Sequence, residues 1–375
     1  MSNCPAECAR LEVEFKLGRL RKFMHERELD ALLLGRADNF AWVTAGGDSR
    51  CASTTDTGVA SVLITPYRQY ILTSNIEIDR VRAETLAHLA AADVFEFAEY
   101  PWHQGHAEML DDIPGKLGSD FNCPAAQGRF CDLTSLRMPF TPWEADRYPE
   151  IGRGVSHAVE RVCFRIELGM TERMIAGMTA AELIQAGYTP TVVLVGADDR
   201  VWFRRHPTPT RNTLERYCMI VVCAHQGGLI AAVTRSVHFG RPPHGIASAH
   251  EAAAGVHAAM IMATRVGAKY QDVMDRACAQ YEAEGYGGEW RCHHQGGPIG
   301  YQDREFLVAP GAGQGRIANR QAIAWNPSVP GAKSEDTMLV SEDGIQIVTG
   351  ASAEWPVIQV EADGAIVQRP AILVR

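Results

Sequence analysis

The sequence predicts an α+β protein in two parts, a smaller α/β domain over residues 1–145 and a larger domain over residues 146–375. Three observations predict it. In the first half, short apolar runs alternate with helical segments, the pattern of an α/β unit. A proline-bearing, charged stretch, MPFTPWEADRYPEIGRGVSHAVERV, then interrupts that alternation and reads as a boundary. Beyond it, paired strands lie beside long helices, which is the α+β pattern.

Taken in order, Val13, Leu17, Leu20 and Met24 recur at helical spacing and give an amphipathic first helix. ALLLG (31–35), VASVLIT (59–65) and QYILT (69–73) are apolar runs bounded by turn-forming residues, as strands are. Helices are expected over 77–91 and 103–110. After the boundary, helices are expected over 153–168, over 247–265, with Val256, Met260 and Ala263 on one face, and over 270–284. CMIVVCA and LIAAVTRSV flank HQGG and predict a hairpin. PGAGQGR (310–316) is glycine-rich but lacks the strand–turn–helix setting of a nucleotide loop, so it reads as a surface loop.

The 375 residues are 46% hydrophobic and 22% charged, ordinary for a globular chain. A net charge of -9 without Lys/Arg runs argues against nucleic acid as a partner. No apolar run approaches the roughly 18 residues a membrane span needs, and MSNCPAECARLEVEF contains no continuous apolar signal core. Ten cysteines without framework spacing fit reduced thiols. A cytoplasmic protein acting on a small molecule is the expectation.

Several pieces carry a resemblance. RRHPTPTRNTL is similar to a His-x-x-Pro-Thr-x-x-x-Leu segment. LIAAVTRS is similar to a strand ending in Thr-Arg at Thr234 and Arg235. HHQGGPIGYQDREF aligns with a Gly-His-x-Ile-Gly-x-x-x-His-Glu block at Gly296, Ile299, Gly300 and Glu305. AIAWNPSV stands where an Ile-Glu-Pro strand is expected, and SEDTMLVSEDG is close to Glu-Asp-Thr-x-Leu-Val-x-Glu-Asp-Gly. Over residues 150–350 the chain resembles the creatinase/prolidase/aminopeptidase P family. The resemblance implies a C-terminal pita-bread domain, a creatinase-type N-terminal domain and a homodimer.

That family holds two divalent ions with two Asp, one His and two Glu. The corresponding positions here are Val221 (or Cys223, with a gap), Ala232, Gly297, Asn326 and Glu335, and the family's second histidine is Arg304. CMIVVCAHQGGLIAAVTRSVHFG, where both Asp ligands belong, contains no acidic residue. A dinuclear site needs anionic oxygens to bridge its ions, so no metal and no cofactor are expected. By resemblance to creatinase, His206 is expected to be the general base and acid, since an imidazole takes and returns protons near neutrality.

Glu335, Glu305 and His294 complete the expected catalytic set. Arg235, Arg304, His293, Asn326 and His225 are expected to bind substrate, the arginines suiting a carboxylate; an ion pair between Arg235 and Glu335 is the alternative use of both. Asp303 and Asp336 belong to the same mapped site. Asp38, Asn39, Asn75, Glu77 and Arg80 of the first half are candidates for specificity, although surface or capping roles suit each of them better.

The expected activity is metal-independent hydrolysis or elimination at a C–N or similarly activated bond of a small amide, amidine or amino-acid derivative. An unactivated peptide bond is not the expected target. Two rivals stand beside it: a non-catalytic pseudo-peptidase that binds peptide, and a metallohydrolase rebuilt from Cys223, His225, His293 and His294. Against the latter, adjacent residues on a strand point to opposite faces. Cys223 or Cys292 as a nucleophile has only proximity in its favour.

Overall fold

The computed structural model describes residues 5–375 except Asp112, Pro114, Ala312 and Gln314. It divides into two compact units, Met1–Arg137 and Met138–Arg375. Ala312 and Gln314 of the glycine-rich loop thus lie outside the described residues.

The first unit opens with the amphipathic helix Pro5–Glu26, whose Val13, Leu17, Leu20 and Met24 are buried. A five-stranded sheet follows: β1 (Ala31–Arg36), β2 (Thr57–Ile64), β3 (Gln69–Ser74), β4 (Glu96–Tyr100) and β5 (Leu117–Ser119), in the order β4-β3-β2-β1-β5. β1, β2 and β3 pair antiparallel in sequence, whereas β4 and β5 join the two edges in parallel. The helix expected over 77–91 is broken into three short pieces, Ile78–Arg80, a π-turn Val81–Thr85 and a 3₁₀ turn Ala87–Leu89. Only Val81, Leu86 and Leu89 are buried there, too few to anchor one continuous apolar stripe. The helix expected over 103–110 shrinks to Ala107–Asp111, because Gly105 takes a left-handed φ of 71° just before it.

In the second unit the presumed boundary is itself a helix, Pro142–Cys163, and residue 145 falls inside it. Pro142 occupies the first turn, where a missing N–H costs nothing. Thr141 and Glu144 form a capping box: the Thr141 N–H donates to Glu144 Oε2 at 2.7 Å, and the Glu144 N–H donates to Thr141 Oγ1 at 3.3 Å. Such a cap stabilises a helix start by about 1 kcal/mol.

β6 (Thr189–Ala197), β7 (Tyr217–Gln226) and β8 (Leu229–His238) form an antiparallel sheet, extended by β17 (Leu373–Val374) in parallel on β8. The β7–β8 turn is Gly227–Gly228, with φ of 56° and 79°. Two left-handed residues in a two-residue loop match strand twist. The helices His244–Ala263 and Tyr270–Ala283 pack on a second sheet, built of β9 (Gly296–Pro298), β10 (Gln321–Trp325), β13 (Asp336–Ser341) and β14 (Gly344–Ile347). Val256, Met260, Tyr281, Ile323, Trp325 and Met338 form that core. The ribbons β11 (Ser328–Val329) with β12 (Ala332–Lys333), and β15 (Val357–Ala362) with β16 (Ala365–Pro370), complete the unit. No described helix is long and apolar enough to cross a membrane.

Candidate active site

The register of β7 on β8 sorts side chains into two sets. Val221 opposes Thr234, Cys223 opposes Ala232 and His225 opposes Ile230, while Ile220 opposes Arg235 one step along. With a side-chain period of two, Thr234 and Arg235 point to opposite faces. Thr234 Oγ1 donates to Glu335 Oε2 at 2.7 Å.

Arg235 turns to the helix Pro142–Cys163. Its Nε donates to Glu160 at 2.9 Å, its Nη1 to Asp336 at 3.1 Å and the Thr234 carbonyl at 2.9 Å, and its Nη2 to Ser156 at 2.9 Å and the Thr349 carbonyl at 2.7 Å. All five guanidinium donors are in use. The expectation that Arg235 clamps substrate is therefore corrected: strand alternation carries it away from Glu335 into a buried network that engages all its donors. Asp336, fully buried, takes Arg235 on one oxygen and Arg369 on the other. It belongs to the same network and not to the site.

Glu335 is set differently. Arg304 Nη2 donates to its Oε1 at 2.8 Å. Burial pushes the carboxyl up, but Lys333, Arg304 and the Thr234 hydroxyl together outweigh it and hold Glu335 below the usual carboxylate range. Lys333, buried and absent from the expected residues, lies with its Nζ 3.4 Å from His293 Nε2. Burial draws its ammonium below the ordinary lysine range, against the opposing pull of Glu335. Lys333 ends β12 and Glu335 immediately precedes β13, so the two stand either side of a single residue in the connection between those strands.

Three imidazoles gather beside this group. His206 follows the short helix Asp199–Phe203, and His293 and His294 follow the 3₁₀ turn Glu289–Arg291. His206 Nε2 is 3.0 Å from His293 Nε2. The His293 and His294 rings stack at 4.4 Å between centroids and 24° between planes. One ligand-type atom from each of the three rings lies within 4.8 Å of the others. Alternation does not separate His293 from His294, because neither lies in a strand: His293 is in a bend and His294 in the irregular stretch before β9.

Burial, then the Lys333 charge, lowers His206 and His293 from the ordinary imidazole range; burial, then Arg304, brings His294 down to about 4. The rings are thus neutral near pH 7. Among the described residues, His293 Nδ1, His294 Nδ1, Arg304 Nε and Asn326 Oδ1 are buried without a hydrogen-bond partner. Buried polar atoms are ordinarily satisfied, so this concentration makes the group a candidate ligand site.

The remaining expected residues are placed as follows. Glu305 Oε1 accepts from the Tyr301 N–H at 3.1 Å and braces its own loop, while Glu335 is the carboxylate acting on the His206 and His294 charges. Asn326 is buried, its peptide N–H on the Gln295 carbonyl at 3.1 Å. His225 lies on the Thr234 face of β7 but outside the imidazole trio. Burial pushes the Cys223 thiol far up, which disfavours a free thiolate for attack. Asp303 accepts from the Thr191 hydroxyl at 2.6 Å.

In the first unit, Asp38 pairs with Arg36 and Arg137, and Asn39 donates to Asp120 at 2.8 Å. Asn75 accepts from the Trp102 N–H at 2.9 Å, and Glu77 pairs with Arg80 at 2.7 Å. All five are engaged within their own unit.

The positions that the resemblance assigns to a metal pair do not fit one. Val221 packs with Val201, Tyr217 and Met219 in an apolar cluster. Ala232 has no donor atom. A Cβ on Gly297 would start 2.3 Å from the Phe306 carbonyl oxygen, so no ligating side chain fits there without moving backbone. Glu335, the one carboxylate left, already faces two fixed cations.

Known proteins bear on these observations. The description of metallopeptidase family M24 matches residues 146–342, and that of the creatinase/prolidase N-terminal domain matches residues 16–129. An uncharacterized peptidase of Staphylococcus haemolyticus is 24% identical over 195 residues, 49% of this chain and 54% of that protein. The chain thus spans about half the length of this curated relative. The prolidase from Pyrococcus horikoshii superposes with a TM-score of 0.75 at 17% identity, covering 90% of this chain and 99% of the prolidase. The N-terminal domain of FACT complex subunit SPT16 from chickpea, Cicer arietinum, superposes at 0.67 with 12% identity, covering 94% of this chain and 97% of that domain. At such identities the superpositions establish the fold: a creatinase-type N-terminal domain followed by a pita-bread domain. With its family description covering more than half of the residues, the chain belongs to metallopeptidase family M24.

Proposed function

We propose that the protein is a hydrolase or lyase acting on a C–N or similarly activated bond of a small polar amide, amidine or amino-acid derivative, without the ion pair typical of its fold. The observation carrying this reading is the replacement set: four of five ligand positions lack a charged donor, and Glu335 faces Arg304 and Lys333 instead. Fixed cations in a buried site do part of what metal ions do, offsetting negative charge that develops on a reacting oxygen.

His206 is the proton carrier in this reading. His293 Nε2 has a single lone pair, and in this reading the shorter of its two contacts, to His206 Nε2 at 3.0 Å rather than to Lys333 Nζ at 3.4 Å, takes it. His206 then donates to His293 through its own Nε2, leaving its Nδ1 lone pair as the base. That atom takes a proton from attacking water, or from carbon in an elimination, and returns it to the departing nitrogen. Glu335 pairs with Arg304 and lends its charge to Lys333. A homodimer of such subunits, as proposed from the family resemblance, is checked by light scattering after size exclusion.

The test is turnover of a panel of small amides, amidines and N-acylamino acids by chelator-treated protein. Activity that survives chelation and falls about 10²–10⁴-fold in His206→Asn supports the reading. A second reading, one ion held by His206, His293 and His294, draws on the closeness of their ligand atoms. Stoichiometric metal that is stripped together with activity selects it instead.

A further inference from the structure

His206 and His293 meet from loops 87 residues apart, so contacts outside the two rings have to set their distance. The His206 loop leaves β6 and returns to β7, and both of its ends are tied. Glu172, fully buried at the start of the helix Glu172–Gln185, accepts from the Ala197 N–H at 2.9 Å on the outgoing side. On the return it accepts from the Thr210 N–H at 2.8 Å and the Thr210 hydroxyl at 2.7 Å. It also pairs with Arg200, whose Nη2 donates to the Thr208 carbonyl at 3.0 Å. The Asp198 carboxylate, on a residue with a left-handed φ of 51°, accepts from the Glu215, Arg216 and Tyr217 N–H groups at 2.8, 2.8 and 2.9 Å. The Pro207 carbonyl accepts from the Val195 N–H at 3.1 Å, and Gly196 leaves room for the proline ring, which a Cβ there would meet at 2.9 Å. These ties fix the base of the loop and the backbone beside His206, but none of them reaches across to His293.

An ion pair crosses there, beside the rings. Arg205, next to His206, pairs through Nη2 with Glu289, which opens the 3₁₀ turn Glu289–Arg291 four residues before His293. Gln295 Nε2 donates to the His293 carbonyl at 2.6 Å and to the Trp290 carbonyl at 3.2 Å, so the turn and His293 form one piece. A hydrogen bond between two neutral imidazoles is a modest restraint on its own, and a single contact leaves a ring free to pivot. Two contacts from neighbouring residues fix direction as well as distance. The side chains of the ion pair are 17% and 27% exposed, so it adds little to stability; what it does is join the two histidine-bearing loops.

We propose that Glu289, acting through Arg205, is a positioning residue that holds His206 Nε2 on His293 and so leaves His206 Nδ1 free to act on the substrate. The catalytic consequence rests on the function proposed above; the positioning itself does not.

The experiment compares chelator-treated, full-length protein with Glu289→Gln and with the charge swap Arg205→Glu plus Glu289→Arg. The readout is the Overhauser contact between the His206 and His293 rings in nitrogen-edited imidazole spectra, His206→Asn supplying the assignment. Glu289→Gln should melt within about 3 °C of the parent protein, yet lose the contact between the rings, and the swap should restore it. For any substrate turned over, kcat should fall about 10–100-fold in Glu289→Gln with KM within about twofold of the parent value, and should recover in the swap. An unchanged contact in folded Glu289→Gln overturns the proposal, as does a folded swap that restores nothing. A melting loss beyond about 10 °C also overturns it, by making the pair part of the fold's stability. Should the swap fail to fold, Arg205→Gln takes its place and has to lose the same contact. A contact that depends on Glu289 in a protein without turnover sustains this inference and removes the catalytic one. Turnover through His206 that Glu289→Gln leaves untouched does the reverse.

Discussion

On one face of the β7–β8 hairpin, Arg235 and Asp336 lie in a network in which every guanidinium donor of Arg235 meets an acceptor, and Arg369 closes the other side of Asp336. On the opposite face, the neighbouring carboxylate Glu335 also sits between two cations, yet among the described residues a guanidinium nitrogen, two imidazole nitrogens and an amide oxygen are left unsatisfied there. The residue types are alike, and the difference lies in the arginines that meet the two carboxylates: every donor of Arg235 is engaged, whereas Arg304 Nε, like Arg369 Nε on the far side of Asp336, is buried without a partner among the described residues. A guanidinium with every donor engaged, like that of Arg235, pins elements together; one left incomplete is tolerated where a ligand completes it. Glu335 and Asp336 are adjacent in sequence, so one step of strand alternation separates scaffold from site.

The comparison breaks most visibly at Asp336. Asp336→Asn strands Arg235 and Arg369 in the interior, and should cost about 3–5 kcal/mol in urea unfolding. A loss under 1 kcal/mol would show that this face is not the scaffold.

His250 tests the same face through pH. Burial foremost, with the Arg369 charge adding to it and the Pro370 carbonyl opposing, brings its pKa down to about 4. The unfolded chain takes up this proton near the ordinary 6.5, before the folded protein does. Stability is thus complete above 6.5 and falls as pH drops toward 4, by about 3 kcal/mol from this residue. His250→Gln should flatten the acid limb of the stability–pH curve by that amount; an unaltered limb refutes the assignment.

On the site face the effects should be smaller. Thr234→Val removes one hydroxyl from Glu335, which keeps Arg304, and about 1 kcal/mol of stability should be lost. Lys333→Met should alter stability least, by less than about 1 kcal/mol or toward a gain, because it removes a buried ammonium that faces a second cation, Arg304. A loss equal to that of Asp336→Asn would make Lys333 a structural residue and dissolve the distinction between the faces.

Much of this was legible in the residues. The hairpin follows from two alternating apolar runs around HQGG, and the capping pair Thr141/Glu144 stands in the sequence as Thr-x-x-Glu. Alternation also contains the answer for Arg235: if Thr234 faces the site, its neighbour cannot. The same rule misled at His293 and His294, since it holds only inside a strand, and neither lies in one. Pro142 read as a breaker when its position at the start of a helix made it an initiator.

By itself the sequence determined the family, the hairpin and the loss of acidic ligands, because these depend on residue identity and short-range periodicity. Only the tertiary structure decided that His206 meets His293 from 87 residues away, that Lys333 rather than Arg235 stands with Arg304 at Glu335, and that Gly297 is closed off by a carbonyl. Those contacts depend on where loop ends come to rest against a finished core. Local pattern carries no information about that distance.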